Sequence, residues 1–330
     1  MTGTRRPAVA VVGGYGTGIT FGVKKLPDTG ETLLADSVRT DAGGKGSNQA
    51  VAASRLGARV ALLTAIGQDD FGSAGLRLWD AEGIDAGCVR VSAGHTMIGA
   101  ILVEQDGQNR IVVGPGALTE LEVADVERFA PRIADADVCV VSLEIPAAVA
   151  VAALSAARAA GTLAILNPAP PVELPPAVLR GVDVLVPNRP EAVALTGSAP
   201  DTGPAVLADR LRARCDGAIV LTLGDIGALV DDGSRRLVPA IQAGAVTDTT
   251  GAGDAFTGAL AAGLAHGLTV AEAAEIAVVA AAHSVGHHAV IPSLPFLAEL
   301  PPGVRGRLDA GRRDVGRQDV GRQDVEWRAR

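Results

Sequence analysis

The sequence predicts an α/β fold built on a mostly parallel central sheet, and three observations carry that prediction. Short aliphatic runs recur along most of the chain, they are apolar at both parities, and helix-like stretches fill the gaps between them. A strand buried on both faces has no polar side, and parallel sheets are the ones buried that way.

The runs are Ala8–Val12, Val60–Ile66, Val138–Ser142, Leu163–Asn167, Val182–Pro187 and Ala218–Leu223. The helical stretches are Ser47–Leu56, Gly72–Glu82, Pro146–Ala160, Gly203–Arg214, Asp254–His266 and Val270–Val285. Pro146 fits a first helical turn, where its missing N–H costs little. Two stretches, Phe21–Thr40 and Thr96–Val113, break the alternation. They are extended and turn-rich, and Thr96, Ile98, Ala100 and Leu102 alternate with a second set of residues in strand fashion. They read either as a small β-sheet covering one edge of the main domain, a lid, or as two unrelated surface loops.

Composition bounds the rest. The 330 residues can bury a substantial core, and 48% apolar content with 2% aromatics and 41 glycines makes that core aliphatic, with closely approaching backbones. No stretch reaches the roughly 18 apolar residues of a membrane span, and Arg5-Arg6 leads into only a short apolar run. Cys88, Cys139 and Cys215 are widely spaced beside apolar residues, unlike a disulfide or metal framework. The expectation is a cytoplasmic protein without membrane attachment. A net charge of −8 argues against nucleic acid and for small-molecule partners. The C-terminus repeats a pentapeptide at Gly311–Val315, Gly316–Val320 and Gly321–Val325, with Gly306–Ala310 as a decayed copy. Such a period matches neither heptad nor strand and buries little, so disorder or a frayed helix is expected.

Two segments carry chemistry. In Asp248-Thr249-Thr250-Gly251-Ala252-Gly253-Asp254 a small-residue loop runs into an apolar helical pattern. The free N–H groups of that first turn, backed by the helix dipole, suit the charge of a transferring phosphoryl group. Asp254 is either a general base for a substrate hydroxyl or merely a helix cap. The second segment, Gly43-Gly44-Lys45-Gly46-Ser47-Asn48-Gln49-Ala50, offers backbone N–H groups, an ammonium and an amide to several hydroxyls, or is a glycine-rich helix start and nothing more. It is not a P-loop, because Gly46 stands where Ser or Thr is required. Gly13-Gly14-Tyr15-Gly16-Thr17-Gly18 follows the first strand, but no three glycines have the dinucleotide-binding spacing. Asn188-Arg189-Pro190-Glu191 and Thr222-Leu223-Gly224 follow strand ends, where open α/β sheets bind ligands. The histidines frame no metal pattern.

With these residues in this order, the sequence resembles the ribokinase-like (PfkB) carbohydrate kinases from about Val9 to Pro295. The likeness is strongest to the ribokinase branch through Gly43–Ala53, Asn167-Pro168-Ala169-Pro170 and Pro187-Asn188. The resemblance implies a kinase domain over 1–300, with lid segments at about 15–42 and 94–115, and a tail over 301–330. It implies transfer of the ATP γ-phosphate to a sugar hydroxymethyl group, with Mg²⁺, activation by K⁺, and a homodimer through the lid. By that resemblance Asp254 is the base and Gly251, Ala252 and Gly253 form the anion hole. Asn188 and Glu191 position nucleotide phosphate and, through water, Mg²⁺. Thr222, Gly224 and Gly227 match nucleotide-loop positions, and Gly44, Lys45, Asn48 and Glu144 match sugar-binding ones. Asp248 and Thr250 match part of a monovalent-cation site.

Two departures stand out. Where the ribokinase branch carries Asn-x-Asp to grip sugar hydroxyls, this chain has Gly16-Thr17-Gly18. That argues against free ribose as the preferred substrate, and Tyr15 and Thr17 are candidate replacement hydroxyls. Near the cation loop the branch reads Gly-Ala before Pro-Ser, whereas this chain has His288-Ala289-Val290-Ile291-Pro292-Ser293. A nucleoside kinase of the same fold is the rival substrate reading, since Gly16 and Gly18 leave room for a base. A non-catalytic sugar-binding protein would have lost the base or the anion-hole glycines, and neither is lost.

Overall fold

Alternate residues of the aliphatic runs go to opposite faces of one sheet, which is why the runs have no polar side. In the computed structural model, which describes residues 6–104, 108–242, 244 and 246–311, β1 (Ala8–Val12) lies one strand in from an edge of that sheet. After β1 the chain runs out through β2 (Gly16–Val23) and β3 (Ser37–Gly43), and returns by α1 (Lys45–Arg55) to β4 (Arg59–Leu63). There follow β5 (Ala65–Gly67), α2 (Asp70–Ala81), β6 (Arg90–Ser92), β7 (Met97–Glu104), β8 (Asn109–Gly114) and α3 (Val123–Ala134). The central part comprises β9 (Val138–Ser142), α4 (Ala147–Ala160), β10 (Leu163–Asn167), α5 (Pro176–Arg180), β11 (Val184–Leu185), α6 (Arg189–Thr196) and α7 (Pro204–Arg212). The last part comprises β12 (Ala218–Thr222), β13 (Gly227–Asp231), β14 (Arg235–Pro239), α8 (Ala252–Ala265), α9 (Val270–Ser284), α10 (Val290–Ser293) and α11 (Pro302–Gly311).

The main sheet has eight strands among the described residues, in the order β14-β13-β12-β11-β10-β9-β1-β4. From β12 to β4 the pairing is parallel, and the β13–β14 hairpin closes the other edge antiparallel. Val9, Val11, Val138, Val140, Ile165 and Val220 face one core, covered by α1, α8 and α9. Ala10, Val12, Cys139, Val141, Leu166 and Leu221 face the other, covered by α3, α4 and α7.

α8 is buried along almost its whole length, which explains its Ala and Gly content. A Cβ at Gly258 would stand 2.5 Å from that of Ala52, so α1 and α8 touch at a distance only glycine permits. The two helices that carry the motif residues are thereby locked together.

The two stretches that break the alternation pair with each other. β2 and β7 run parallel from Gly16↔Met97 to Val23↔Glu104, with β3 and β8 outside them in a four-stranded sheet. Other expectations need adjustment. Pro146 is the N-cap of α4, just outside the first turn. The run Val60–Ile66 divides at Thr64 into β4 and β5, and Val182–Pro187 retains only β11 as regular strand. The hairpin β13–β14 turns through Asp232-Gly233-Ser234, with Gly233 at φ 107°, so the Asp-Gly pair was a local hairpin signal in the sequence. Of the two expectations for the tail, disorder or a frayed helix, residues 302–311 take the helical one as α11, anchored by buried Leu308 and by Arg307 paired to Glu275 of α9. The full repeats, from 312 onward, lie outside the described residues.

Candidate active site

Each motif helix starts on a glycine with positive φ, Gly44 at 89° before α1 and Gly251 at 83° before α8, and neither has a side-chain cap. Non-glycine residues rarely adopt such φ values, so glycine here permits a sharp entry. No side chain caps the first turn of α8, and its first N–H, that of Ala252, reaches the Thr249 carbonyl at a long 3.3 Å, so this turn is a helix start where an anion can be bound. The glycines after β1 have a different purpose. Gly46 packs on the Gly13 backbone, and Ser47 N–H donates to the Gly14 carbonyl at 3.0 Å, so Gly13-Gly14 makes room for the start of α1.

Asp254, in the first turn of α8, is buried. Its carboxylate is not spent on its own helix. Oδ2 accepts from Asn48 Nδ2 at 2.8 Å and Oδ1 from Gln49 Nε2 at 3.0 Å, both from α1. Burial pushes its pKa above the usual aspartate value, against the pull of the Lys45 charge and the two amides. The alternative of an Asp helix cap is thereby set aside.

Lys45 opens α1, and its N–H donates to Glu144 Oε2 at 2.7 Å. Burial pulls its ammonium pKa down, but Asp254, Glu144 and Glu191 together push it up, and the net direction is upward. It therefore stays charged. Burial also raises the pKa values of Glu144 and Glu191, with Lys45 opposing both shifts. One ammonium thus faces three carboxylates delivered by the start of α8, the end of β9 and the start of α6.

The pfkB family carbohydrate kinase pattern matches residues 10–297, which include every residue of this constellation. The chain belongs to the pfkB family of carbohydrate kinases. A ribokinase of Schizosaccharomyces pombe is 32% identical over 306 residues, covering 88% of this chain and 96% of its own. A deoxyribokinase of Salmonella typhi is 33% identical over 297 residues, covering 88% and 96% respectively. The solved structure of Arabidopsis thaliana ribokinase complexed with ribose and ATP superposes with a TM-score of 0.80, at 26% identity over 94% of this chain and all of that one. This carbohydrate kinase is therefore a phosphotransferase whose acceptor is an alcohol group of a sugar.

Around this centre the kinase arranges its other motif residues in two groups. On one side Asn188 is the N-cap of α6 and Glu191 its reciprocal partner. Asn188 Oδ1 accepts from Glu191 N–H at 2.8 Å, and Glu191 Oε2 accepts from Asn188 N–H at 2.9 Å. This capping box fixes the Glu191 carboxylate beside the Lys45 charge, and its Asn-x-x-Glu spacing was available in the sequence. Thr222 forms a bridge with Asn188, which brings the two strand-end turns together. Gly224 has φ 62° in the turn that follows. Gly227 is explained by the hairpin, because a Cβ there would collide with the Val238 carbonyl of β14.

On the other side Asp248 Oδ1 accepts from Thr250 N–H at 2.9 Å, and the N–H groups of Thr247 and Asp248 reach the Val285 carbonyl at 2.8 and 3.2 Å. Burial raises the Asp248 pKa, but the donors of Thr250 and Ala289 overcome it and hold the carboxyl below its usual value. Asp248 is thus an ionised oxygen donor three residues before Gly251. Among the described residues, no group of three His, Cys, Asp or Glu side chains is disposed to hold a metal directly.

Tyr15 is corrected by the structure. It is fully buried, edge-on to Trp79, its hydroxyl donates to the Phe71 carbonyl at 2.9 Å, and Thr17 bonds to the same hydroxyl. Both hydroxyls are engaged within the protein, so neither replaces the absent sugar-gripping groups.

Sequence reasoning missed Gln49 and Asn167 as site residues. Gln49 Nε2 also donates to Asn167 Oδ1 at 3.0 Å, and Asn167 Nδ2 to the Val186 carbonyl at 2.9 Å. This chain of amides ties Asp254 to the ends of β10 and β11. An amide in the buried face of an Ala-rich helix was the available signal.

Proposed function

We propose that this kinase transfers the γ-phosphoryl group of ATP to a hydroxymethyl group of a sugar or sugar-containing substrate held against Asp254. The observation that carries the reading is the Asp254 carboxylate itself, buried, held by Asn48 and Gln49, and standing at an uncapped helix start. The substrate hydroxyl oxygen attacks the γ-phosphorus, the bond from that phosphorus to the β,γ-bridging oxygen breaks, and Asp254 takes the hydroxyl proton. The N–H groups of Gly251, Ala252 and Gly253 receive the charge on the transferring oxygens. Gly44, Lys45, Asn48 and Glu144 bind substrate hydroxyls, and Asn188, Thr222, Gly224 and Gly227 border the nucleotide.

The hard oxygen donor Glu191, fixed by its capping box, fits a hydrated divalent cation, and Mg²⁺ held there through water would neutralise phosphate charge. Asp248 and Thr250 would belong to a K⁺ site supporting the same turn. A nucleoside is the second acceptor reading, favoured by Gly18, where a Cβ would approach nothing closer than 3.4 Å.

The exposed Val38, Ile111, Val112 and Val113 on the lid support a homodimer formed there. The free cysteines support a reducing cytoplasm, and the acidic balance supports small-molecule partners over nucleic acid.

The test is an ADP-release screen of pentoses, hexoses, sugar phosphates and nucleosides at saturating Mg·ATP, with and without K⁺. Turnover with at least one of them, lost on chelation of Mg²⁺, is the expected result. Binding without ADP release for every one would sink the reading.

A further inference from the structure

The helix that carries Lys45, Asn48 and Gln49 at its start carries Arg55 at its end. The Arg55 side chain is only 8% exposed and its partner Glu82 12%. Arg55 Nε donates to both Glu82 oxygens at 3.1 Å and Nη2 donates to Oε1 at 2.6 Å. The remaining nitrogen reaches across the fold, with Nη1 donating to the carbonyls of Ile291 at 2.8 Å and Leu294 at 2.6 Å. The guanidinium also stacks over the Phe296 ring, 4.2 Å from its centroid.

Those two carbonyls belong to the segment that overlies the loop before α8. A Cβ at Gly251 would stand 2.5 Å from Val290 Cγ1, so Val290 packs directly on the glycine that opens the helix. The N–H of the preceding residue, Ala289, bonds to Asp248 at the other end of the same loop. Ala289 has φ 62° and ψ 156°, a conformation that is nearly glycine-only and persists only where surrounding structure over-determines it. The segment is thus a strap over both ends of the loop, held in a conformation its own residues disfavour. The guanidinium fork of Arg55 fastens it immediately after Val290.

We propose that Arg55, braced by Glu82, is a positioning residue for phosphoryl transfer. Through the carbonyls of Ile291 and Leu294 it fixes Val290 against Gly251, and so sets the direction of the N–H groups at 251–253. The proposal rests on the reading of that turn as the anion hole. It concerns a residue that touches neither sugar nor nucleotide. A planar fork can hold two carbonyls and a carboxylate at once, which the single ammonium of lysine cannot reproduce.

The experiment compares Arg55→Lys and Val290→Ala with wild type in steady-state ADP release, after circular dichroism and thermal melting have established folding. Arg55→Lys keeps the charge beside Glu82 and loses the fork. Val290→Ala leaves every Arg55 hydrogen bond in place and removes the methyl groups that face Gly251. In Arg55→Lys, kcat is expected to fall about tenfold or more, with KM for sugar and for ATP within about twofold of wild type. In Val290→Ala the loss is smaller but also confined to kcat. A kcat unchanged in Val290→Ala overturns the route through Gly251 whatever Arg55→Lys does, and so decides the matter if the arginine variant does not fold. A loss carried by KM in Arg55→Lys also overturns it. Wild-type protein inactive on every acceptor is a separate failure, that of the kinase site itself.

Discussion

Replacing Asp254 by Asn removes the proton acceptor while leaving the surrounding amides a way to adjust. Gln49 cannot turn over, because its Nε2 serves both Asp254 and Asn167, and Asn167 is in turn tied to the Val186 carbonyl. The new side chain must therefore keep its oxygen towards Gln49 and turn its NH₂ towards Asn48. Asn48 can accept by flipping, since its Oδ1 is buried with no hydrogen-bond partner. The exchange weakens two hydrogen bonds to a charged acceptor, each worth about 1.5–3 kcal/mol, to neutral ones of about 0.5–1.5. It also removes a buried charge whose burial raises its pKa, so these changes nearly cancel. The thermal midpoint should move by only about 2–4 °C.

The rate should not be spared. Loss of a general base costs about 10²–10⁴ in kcat, or about 3–5 kcal/mol of transition-state stabilisation. The assay is steady-state ADP release, with ATP affinity by calorimetry and unfolding by circular dichroism. ATP affinity should stay near wild type, while KM for sugar registers the Asn48 flip. A kcat within about threefold of wild type would refute the assignment of Asp254 as base. The same variant tests the pH dependence. An aspartate whose folded pKa is raised binds its proton more tightly when folded. Its contribution to stability is therefore full below the unfolded pKa and is lost as pH rises through the folded one. Asp254→Asn should accordingly gain stability relative to wild type between acidic and neutral pH. In wild type, the acidic limb of kcat/KM should lie above an ordinary aspartate value.

Three further outcomes are expected. Gly251→Ala combines a residue at φ 83° with a Cβ 2.5 Å from Val290, and should lower kcat by about a hundredfold with the protein still folded; retained turnover would exclude the tight turn as a requirement. Gly18→Asp fits, because the nearest atom to its Cβ is Ile101 Cδ1 at 3.4 Å, and one charged hydrogen bond of about 1.5–3 kcal/mol should lower KM for free ribose by about tenfold or more. An unchanged KM would show that residue 18 does not face the sugar. Ala289→Gly relieves a disfavoured conformation costing about 1–3 kcal/mol, against about 0.4–1 for added freedom in the unfolded chain, so the thermal midpoint should rise. A fall in the midpoint would mean the strap is not strained there.

Much of the site was legible because its chemistry is local. Gly251–Asp254 and Gly44–Asn48 each lie within one loop and one helical turn, so residue type and spacing sufficed to single them out. The capping box of Asn188 and Glu191 was equally local, but a polar turn after a strand has the same composition as the cap of the short helix α6. Tyr15 failed for the opposite reason. Its commitment to the Phe71 carbonyl and its packing on Trp79 depend on where α2 lies, which the sequence around residue 15 does not record.

By itself, then, the sequence determined the α/β class, the two motif helices and Asp254 as the candidate base. Those follow from periodicities and turn chemistry acting over a few residues. Only the tertiary structure decided what Asp254 does with its carboxylate. The Asn48 and Gln49 amides lie 206 and 205 residues away in the chain, and they reach it only because Gly258 lets α8 lie against α1. It also decided that Arg55 faces carbonyls 236 and 239 residues further on. Such pairings depend on how whole helices pack on the sheet, and no local pattern encodes a distance between segments so far apart.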